Sequence, residues 1–285
     1  MLAPMIVVIT SRMDATGMAI QAELKRREVD AVHLIEADLF PGLRSSLKVP
    51  EDPRELARLV LSKGDSAVGI RGLFAQLTGR AFEGRRTADQ EFMNAEWNAT
   101  VQAWVQSIQG NVINRLPPKL WYQRRIGVAV AQSLLGDLFR FPRFLISSCP
   151  ADGLALFDNC ADGVTYSPQT SAQRYSFSNR AALERALRSA LHFPFYLCES
   201  FAQQRVDAVV VGERTFCANS TIAKEEEKCA AAARRLGAAF CRFAFVETED
   251  RGPICLGVDL QPDISRYPSP FGSQVVAALA DALIS

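Results

Sequence analysis

Short apolar runs alternate with longer amphipathic segments along the first part of the chain. Residues 5–10 read MIVVIT, a β-branched run that is typical of a buried strand. Residues 14–27 follow with apolar positions at helical spacing, and residues 31–38 (AVHLIEAD) predict the next strand. A further strand is predicted over 66–72, ending at Arg71. The strand-helix-strand order at the start favours a parallel sheet.

Two long helices are predicted in the middle of the chain. The first covers 89–110 and stops at a glycine, and the second covers 117–136, with Pro at its start and Gly at its end. The apolar face of the first helix consists of Phe92, Trp97, Val101, Trp104 and Ile108. A strand over 141–148 follows the second helix and marks a natural domain boundary.

The remaining half of the chain mixes helices with strands that pair antiparallel. A hairpin turn is predicted at Gly212-Glu213, between two apolar strands. The predicted helices are 150–158, 180–190, 224–236 and 272–284, and the predicted strands are 193–201, 207–212, 214–220, 238–247 and 254–260, with polar strands around 163–177.

Composition and charge narrow the class of protein. The 285 residues are 48% hydrophobic and 22% charged, which is ordinary for a globular protein, and the net charge of +1 favours neither nucleic acid nor an anionic membrane as a partner. No stretch approaches the roughly 20 apolar residues of a membrane span. The seven cysteines form no C-x-x-C pair, so we expect buried free thiols in a reducing compartment, and hence a cytoplasmic protein.

Taken together, the order of elements and three short motifs resemble the ATP-grasp ligases. Residues 5–41 are similar to a pre-ATP-grasp domain, VVVGERTF at 209–216 to the family's V-V-G-x-x-V-F hairpin, and CLGVDLQP at 255–262 to its L-E-V-N-P strand. The nearest branches are the ribosomal-protein glutamyl ligases and the ligases that cyclise microviridin-type peptides. The resemblance covers essentially the whole chain.

This resemblance implies an α/β fold with α+β lobes. The expected units are a pre-ATP-grasp-like N-terminal β-α-β domain (1–115), a linking helix with a small central lobe (116–198) and a C-terminal antiparallel-sheet lobe (199–285). Enzymes of this kind activate a carboxylate as an acyl phosphate, which an amine or hydroxyl then attacks. They use two lysines and an arginine for the phosphates, and an Asp, a Glu and an Asn for Mg²⁺.

The lysine positions of this pattern are not occupied by lysine. The first lysine of the family falls at about Arg125, where Arg124 or Arg125 could still contact the phosphates of a nucleotide with a different shape and reach. The second belongs to a strand of the small lobe, where this chain reads DGVTYSPQT. No lysine occurs between 120 and 223, so that stretch offers no substitute.

The arginine and the metal ligands are also altered. The family's arginine falls at Asp207, and Arg205, on the same strand face, is the candidate for its catalytic role. The positions of the three Mg²⁺ ligands are Ala244, Gly257 and Asp259. Asp259 and the nearby Asp263 are the candidate metal ligands that remain, and two carboxylates without a third ligand form a poor Mg²⁺-ATP site.

Two further residues lie where the family contacts its ligands. Arg71 is the candidate to bind a substrate carboxylate, and a surface ion pair is an equally good interpretation. Glu199, in LCESF, falls at the hinge between lobes where the adenine amino group is read, and a strand-end glutamate with no ligand is as good an explanation.

Three functions follow, in order of preference. The first is an ATP-grasp-fold protein that has lost ATP-driven catalysis, needs no cofactor and binds a peptide, a small-molecule carboxylate or a partner enzyme in a peptide- or cofactor-modifying pathway, with a homodimer as a further option. The second is a divergent ATP- and Mg²⁺-dependent carboxylate-amine ligase that uses Arg124, Arg125, Arg205, Asp259 and Asp263. The third is an ATP-independent enzyme that reuses the cleft, with Arg71 holding the substrate.

Overall fold

The computed structural model describes most of the chain. The residues that it describes are 5–12, 14–36, 44–48, 58–62, 67–76, 87–108, 110–117, 120, 124–168, 174–189, 193–217 and 219–285. Within them, Trp104 of the predicted apolar helix face is placed only by its backbone.

Strands and helices alternate through these residues in three groups. The strands are β1 (Met5–Thr10), β2 (Ala31–Ile35), β3 (Arg44–Lys48), β4 (Arg58–Ser62), β5 (Ala67–Gln76), β6 (Asn111–Ile113), β7 (Arg125–Ile126), β8 (Phe144–Ser147), β9 (Val164–Pro168), β10 (Tyr175–Phe177), β11 (Phe195–Glu199), β12 (Arg205–Val211), β13 (Arg214–Cys217), β14 (Phe240–Thr248) and β15 (Gly252–Asp259). The α-helices are α1 (Ala15–Arg26), α2 (Ala88–Ser107), α3 (Val128–Leu135), α4 (Pro150–Asp158), α5 (Arg180–Ser189), α6 (Glu226–Leu236) and α7 (Phe271–Ile284).

The N-terminal sheet is mixed. Strands β2, β1, β5 and β6 are parallel, and β3 and β4 extend the sheet beyond β5 as antiparallel neighbours. The parallel β1-α1-β2 start is the one that the apolar pattern predicts. The pattern did not predict β3 and β4, because their sequences, RSSLK and RLVLS, mix polar and apolar residues without a long apolar run.

Two antiparallel sheets make up the rest. The small lobe has the strand order β10-β9-β11-β8, with α4 and α5 packed on one face, and the C-terminal sheet has the order β13-β12-β14-β15-β7. Gly212 takes φ of 59° at the β12–β13 turn, a conformation that favours glycine, which confirms the predicted hairpin.

The N-terminal and C-terminal sheets share two hydrophobic cores. Alternate residues of β1 point to opposite sides, so that Val7 and Ile9 pack with α2, α3 and α6, while Ile6 and Val8 pack with α1 and α7. The small lobe has a separate core around Phe195 and Leu197. The predicted domain boundaries at 115 and 198 stay a prediction.

Two details of the predicted helices are wrong. The helix expected over 117–136 is confined to α3, because Arg125 and Ile126 instead add strand β7 to the C-terminal sheet, and Gly127 starts the helix after it. Trp97 and Val101 on α2, and Ile108 directly after it, are buried as predicted, but Phe92 is 66% exposed. The buried positions before Trp97 include Asn94, so the inner face of α2 is more polar at its start than the apolar spacing suggests.

Candidate functional site

One face of the C-terminal sheet gathers the positions that the family pattern singles out. Across β12, β14 and β15, Asp207 pairs with Ala244 and Ala244 with Gly257. In the adjacent row, Arg242 pairs with Asp259, and Asp259 pairs with Arg125 on β7. Because residues two apart on a strand share a face, these side chains lie together.

The centre of this face is the buried guanidinium of Arg242. Its side chain is 7% exposed and lies between two carboxylates. One nitrogen donates to Oδ2 of Asp207 at 3.3 Å, and the other donates to Oδ2 of Asp259 at 3.1 Å. Burial on its own would lower the pKa of Arg242, but the charges of Asp207 and Asp259 outweigh it and the pKa is raised, so the guanidinium stays charged.

Three more side chains complete the network. The hydroxyl of Tyr267 donates to Oδ2 of Asp207 at 2.9 Å, and burial, then the negative charge of Asp207, raises the pKa of that tyrosine. Arg205 contacts the other oxygen of Asp207 at 3.1 Å, and Arg125 approaches Asp259 at 3.4 Å. We call these six residues, Arg125, Arg205, Asp207, Arg242, Asp259 and Tyr267, the arginine-aspartate network.

The outer and inner parts of the arginine-aspartate network differ in exposure. The side chains of Arg125 and Arg205 are 55% and 48% exposed, whereas that of Asp259 is 4% exposed. The three arginines and two aspartates leave one positive charge in excess. The network therefore presents two guanidinium groups to solvent above an inner layer, Arg242 with Asp207 and Asp259, whose net charge is −1.

These residues do not fit a Mg²⁺-nucleotide site. Ala244 and Gly257 supply no ligand atom, and Gly257 has φ of 146°, where a side chain would be strained. Both carboxylates that remain, Asp207 and Asp259, are engaged by Arg242. No group of three or more His, Cys, Asp or Glu side chains is arranged to hold a metal within the part of the chain that the structure describes.

Asp263 has partners of its own rather than sharing those of Asp259. It precedes a short 3₁₀ helix (Ile264–Arg266), and its Oδ1 accepts from the amide and hydroxyl of Ser265. These hydrogen bonds, led by the Ser265 hydroxyl, lower the pKa of Asp263. Its role as a metal ligand stays a prediction, and the geometry explains it as a capping residue.

The face of the small-lobe sheet that is opposite α4 and α5 carries no lysine among its described residues. Residues Val164 and Tyr166 of β9 point into the core with α4 and α5, so Thr165 and Ser167 lie on the opposite, open face. Their neighbours on that face are Tyr196 and Cys198 of β11 and Phe144 and Ile146 of β8. Hydroxyl groups of β9, with thiol and aromatic groups of its neighbours, thus occupy the face where the resemblance predicts the second lysine.

Arg174 is the cation closest to this open face that the described contacts reveal. Its charge acts on both Tyr196 and Cys198, where it opposes the rise in pKa that burial causes. Sequence reasoning did not select Arg174, because the residues just before β10 carry no recognisable motif.

Glu199 is bound by protein groups at the hinge. Arg251 donates to both carboxylate oxygens of Glu199, at 2.5 and 3.1 Å, and the amide of Arg143 donates to one of them at 3.0 Å. The side chain of Glu199 is 5% exposed. Glu199 thus joins β11 of the small lobe to the turn between β14 and β15. The contact between Glu199 and the adenine of a nucleotide stays a prediction.

The other two candidates also have structural partners. Arg71 lies within β5 and donates to the carbonyl oxygen of Ile284 at 2.8 Å, which ties the C-terminal helix α7 to the N-terminal sheet. Arg124 is exposed, and its carbonyl accepts from the amide of Leu260 at 2.8 Å. Arg124 lies close enough to Asp14 to lower that aspartate's pKa, against a larger rise from burial.

Sequence reasoning missed Arg242 and Arg251, although a signal for Arg242 was present. It is the one charged residue inside the apolar run FCRFAFV of a strand expected to be buried. A buried charge requires a partner of opposite sign, so this position alone predicts an internal ion pair. Arg251 stands in a turn of charged residues, where nothing in the sequence distinguishes it.

Comparison with solved structures places the whole chain beside peptide-modifying enzymes, while no family model and no curated protein matches it in sequence. The macrocyclase MdnC of Microcystis aeruginosa MRC, bound with precursor peptide MdnA, superposes with TM-score 0.73 at 14% identity, covering 98% of this chain and 99% of MdnC. A Chryseobacterium gregarium RiPP-associated ATP-grasp ligase, in complex with ADP and a leader and core peptide, superposes with a TM-score of 0.72 at 12% identity. The match covers 99% of this chain and 96% of the ligase.

A third structure extends the likeness to another branch. The RimK domain protein ATP-grasp of Sphaerobacter thermophilus DSM 20745 gives a TM-score of 0.56 at 16% identity, covering 99% of this chain and 100% of the other. At such low identities the agreement concerns the backbone rather than the chemistry of the site. The chain therefore has the α/β fold of the ATP-grasp ligases along its whole length.

Proposed function

We propose that the chain is an ATP-grasp-fold binding protein that has lost ATP-driven catalysis and holds a carboxylate-bearing peptide in the cytoplasm. The observation that carries this proposal is the guanidinium of Arg242, which lies between Asp207 and Asp259. A divalent cation and a guanidinium compete for the same carboxylate oxygens. With Arg242 bonded to both, the charge that Mg²⁺ would neutralise is already neutralised.

The absence of lysines from the phosphate positions supports the same conclusion. A nucleoside triphosphate brings several negative charges that a ligase offsets with a metal and cationic side chains. Here the small-lobe strand β9 carries Thr165 and Ser167, and the metal row carries Ala244 and Gly257. Among the described residues, the cations of the site are therefore arginines rather than lysines, and two of the three metal-ligand positions carry no ligand oxygen.

The proposed ligand follows from the exposed part of the arginine-aspartate network. Arg125 and Arg205 point guanidinium groups to solvent, and each has a single carboxylate contact, at 3.4 and 3.1 Å. A planar guanidinium with free donors recognises a carboxylate through paired hydrogen bonds. Two of the similar structures hold precursor or leader and core peptides, which supports a peptide as the carrier of that carboxylate.

Thermal unfolding with millimolar Mg²⁺-ATP tests the loss of nucleotide binding. We expect the same Tm with Mg²⁺-ATP as with ATP and a chelator. A ligand at about 100 times its Kd stabilises by roughly 2.7 kcal/mol, which would raise Tm by about 5 °C or more in a chain of this size. Such a Mg²⁺-dependent rise would overturn the proposal and favour a divergent ligase that uses Arg124, Arg125, Arg205, Asp259 and Asp263.

Titration with a short glutamate-rich peptide and its glutamine counterpart tests the ligand. We expect the glutamate peptide to bind, and Arg125→Gln and Arg205→Gln each to weaken it by roughly tenfold, because a charge-assisted hydrogen bond contributes about 1.5 kcal/mol or more. Arg188→Gln is the matched control, since Arg188 is 74% exposed on α5 of the small lobe. Equal binding of both peptides, or equal effects of all three substitutions, would contradict carboxylate recognition here.

A further inference from the structure

A separate open cavity of about 520 Å³ lies on the C-terminal lobe, outside the arginine-aspartate network. The turn that follows α3 forms one wall, the start of α6 with the 3₁₀ turn before it forms another, and the start of β15 forms the third. The side chains that line it and that matter here are Leu138, Phe139, Arg140, Lys224, Lys228 and Pro253. We call it the lysine cavity.

The lysine cavity is distant from the proposed peptide site. Arg140 is bridged to Ile254 on β15, and Asp259 lies five residue steps further along that strand. At about 3.3 Å per residue, the two positions are roughly 16 Å apart along the strand. A ligand in this cavity would therefore not contact Arg242 or its carboxylate partners.

The acids around the cavity are already neutralised. Asp137 accepts from two nitrogens of Arg235, Glu225 pairs with Lys228 at 2.9 Å, and Glu199 neutralises Arg251. Both acidic side chains of the lining, Asp137 and Glu225, are therefore paired with a cation. Two of its four basic side chains, Lys228 and Arg251, are paired with a carboxylate.

Among the residues that the structure describes, two cations of the lining have no carboxylate oxygen closer than 3.9 Å. Arg140 donates to the carbonyl oxygen of Arg251 at 2.6 Å, a neutral partner that leaves its positive charge uncompensated. The nearest carboxylate oxygen to Lys224 belongs to Glu247 at 3.9 Å, in a pair whose two side chains are 60% and 40% exposed. A pair of that length and exposure contributes little and is readily exchanged for a ligand.

We propose that the lysine cavity binds an anionic group, a carboxylate or a phosphate, carried on an apolar body. Arg140 and Lys224 supply the charge, and both are positioned at the rim of one concave surface, where their fields add. Phe139, Leu138 and Pro253 supply the apolar wall for the body of the ligand. Two of the six lysines in the chain line this one cavity, Lys224 and Lys228, and both lie in the segment that begins α6.

Amide chemical-shift titration of the intact chain tests the proposal with two simple probes. Phenyl phosphate and phenylacetate share an apolar ring and differ in the anion, and benzyl alcohol is the uncharged reference. We expect at least one anion to shift the amides of 136–140 and 224–228 in a saturable way, and benzyl alcohol to leave them unchanged. The stronger of the two anions identifies whether phosphate or carboxylate is the natural group.

Charge removal identifies the residues responsible. Lys224→Gln should weaken the bound anion several-fold and Arg140→Gln/Lys224→Gln at least tenfold, whereas Lys25→Gln, at an exposed position on α1, should leave the affinity unchanged. Lys224→Gln removes no hydrogen bond of the fold, so its effect does not depend on the Arg140 contact with Arg251. Amide chemical-shift changes scattered over the surface would overturn the proposal. So would an anion affinity that is the same in the natural protein, Lys224→Gln and Arg140→Gln/Lys224→Gln.

The two proposals can fail separately. The lysine cavity is tested with probes and variants that do not involve Arg125 or Arg205. Loss of anion binding in Arg140→Gln/Lys224→Gln with retained binding of the glutamate-rich peptide would show two independent sites.

Discussion

At the scale of single residues, Arg242 organises the chemistry of the C-terminal sheet. Its guanidinium holds Asp207 and Asp259 in one charged layer. Tyr267, directly after the 3₁₀ helix, donates its hydroxyl to Asp207 at the edge of that layer. Moving such charges out of water is costly, so the layer is stable only while every member keeps its partner. Under the proposed function, this residue takes the place of an exchangeable metal ion.

Substitution of this residue should expose that dependence. We expect Arg242→Met to lower the free energy of unfolding by about 3–5 kcal/mol, because Asp207 and Asp259 would lose their buried counter-charge and keep only the half-exposed Arg205 and Arg125. The measurement is urea denaturation followed by circular dichroism. Arg205→Met is the control, and it should cost less than about 1 kcal/mol because Arg205 is 48% exposed.

Neutralising the whole layer gives the opposite test. In Asp207→Asn/Arg242→Met/Asp259→Asn no buried charge is left unpaired, and Arg205 and Arg125 are exposed enough to be solvated, so most of the stability lost in Arg242→Met should return. If the triple variant is less stable than Arg242→Met alone, the loss comes from packing rather than from unpaired charge.

At the scale of elements, the N-terminus of helix α1 is capped by its own chain and also contacts the C-terminal lobe. Asp14 accepts from the amides of Thr16 and Gly17 at 2.9 and 3.3 Å, and Thr16 in turn donates to the carbonyl oxygen of Pro262 at 3.3 Å. The start of α1 is therefore fixed against the segment that follows β15. Burial, with a smaller contribution from Asp263, raises the pKa of Asp14 despite these two amide bonds.

The raised pKa of Asp14 predicts that Asp14→Asn increases the free energy of unfolding, by an amount that depends on pH. The folded protein holds this proton more tightly than the unfolded chain, so the Asp14 contribution to stability falls as pH rises from about 4 through the folded-state pKa. Asparagine caps a helix equally well and does not ionise. The stability of Asp14→Asn relative to the natural protein should therefore rise over that interval, as measured by urea denaturation at successive pH values.

Asp14→Ala separates the cap from the charge. It should follow the same trend with pH but lie about 1 kcal/mol below Asp14→Asn throughout, because alanine leaves the two amides without a side-chain acceptor. A difference between Asp14→Asn and the natural protein that does not vary with pH would contradict the assignment.

At the scale of the whole molecule, two cores unite the N-terminal and C-terminal sheets, and the small lobe is joined through the Glu199–Arg251 pair. Helix α7 packs on β5, β6 and β12, so the end of the chain closes onto its beginning. Among the described residues, no helix has the length and apolar character needed to cross a membrane.

The distribution of thiols reports on this packing. Cys149 is exposed, and burial raises the pKa of Cys160 and Cys198 to about 11 and of Cys217 and Cys255 to about 12. Since the thiolate is the reactive form, we expect one fast-reacting thiol in the folded protein at pH 8 and all seven after denaturation. A colorimetric thiol reagent measures both numbers, and Cys149→Ser should abolish the fast phase.

The sequence by itself determined the order of elements and the fold class. Apolar β-branched runs define strands such as β1, β12 and β14, and the glycine at 212 defines the hairpin, because these signals are local and depend on backbone preference and burial. The sequence also predicts which ligase residues are replaced, since the resemblance aligns identities such as Ala244 and Gly257 with metal-ligand positions of the family. The resemblance to ATP-grasp ligases agrees with the fold of the solved structures.

Only the tertiary structure decided which charged side chains meet on this face of the C-terminal sheet. Arg242, Asp207 and Asp259 lie on three strands, and their contact depends on the register between β12, β14 and β15. Likewise, Arg125 forms strand β7 instead of a helix because β15 offers it a pairing edge. Pairing across distant segments is a long-range property, and no local pattern of apolar and polar residues encodes which charge will meet which.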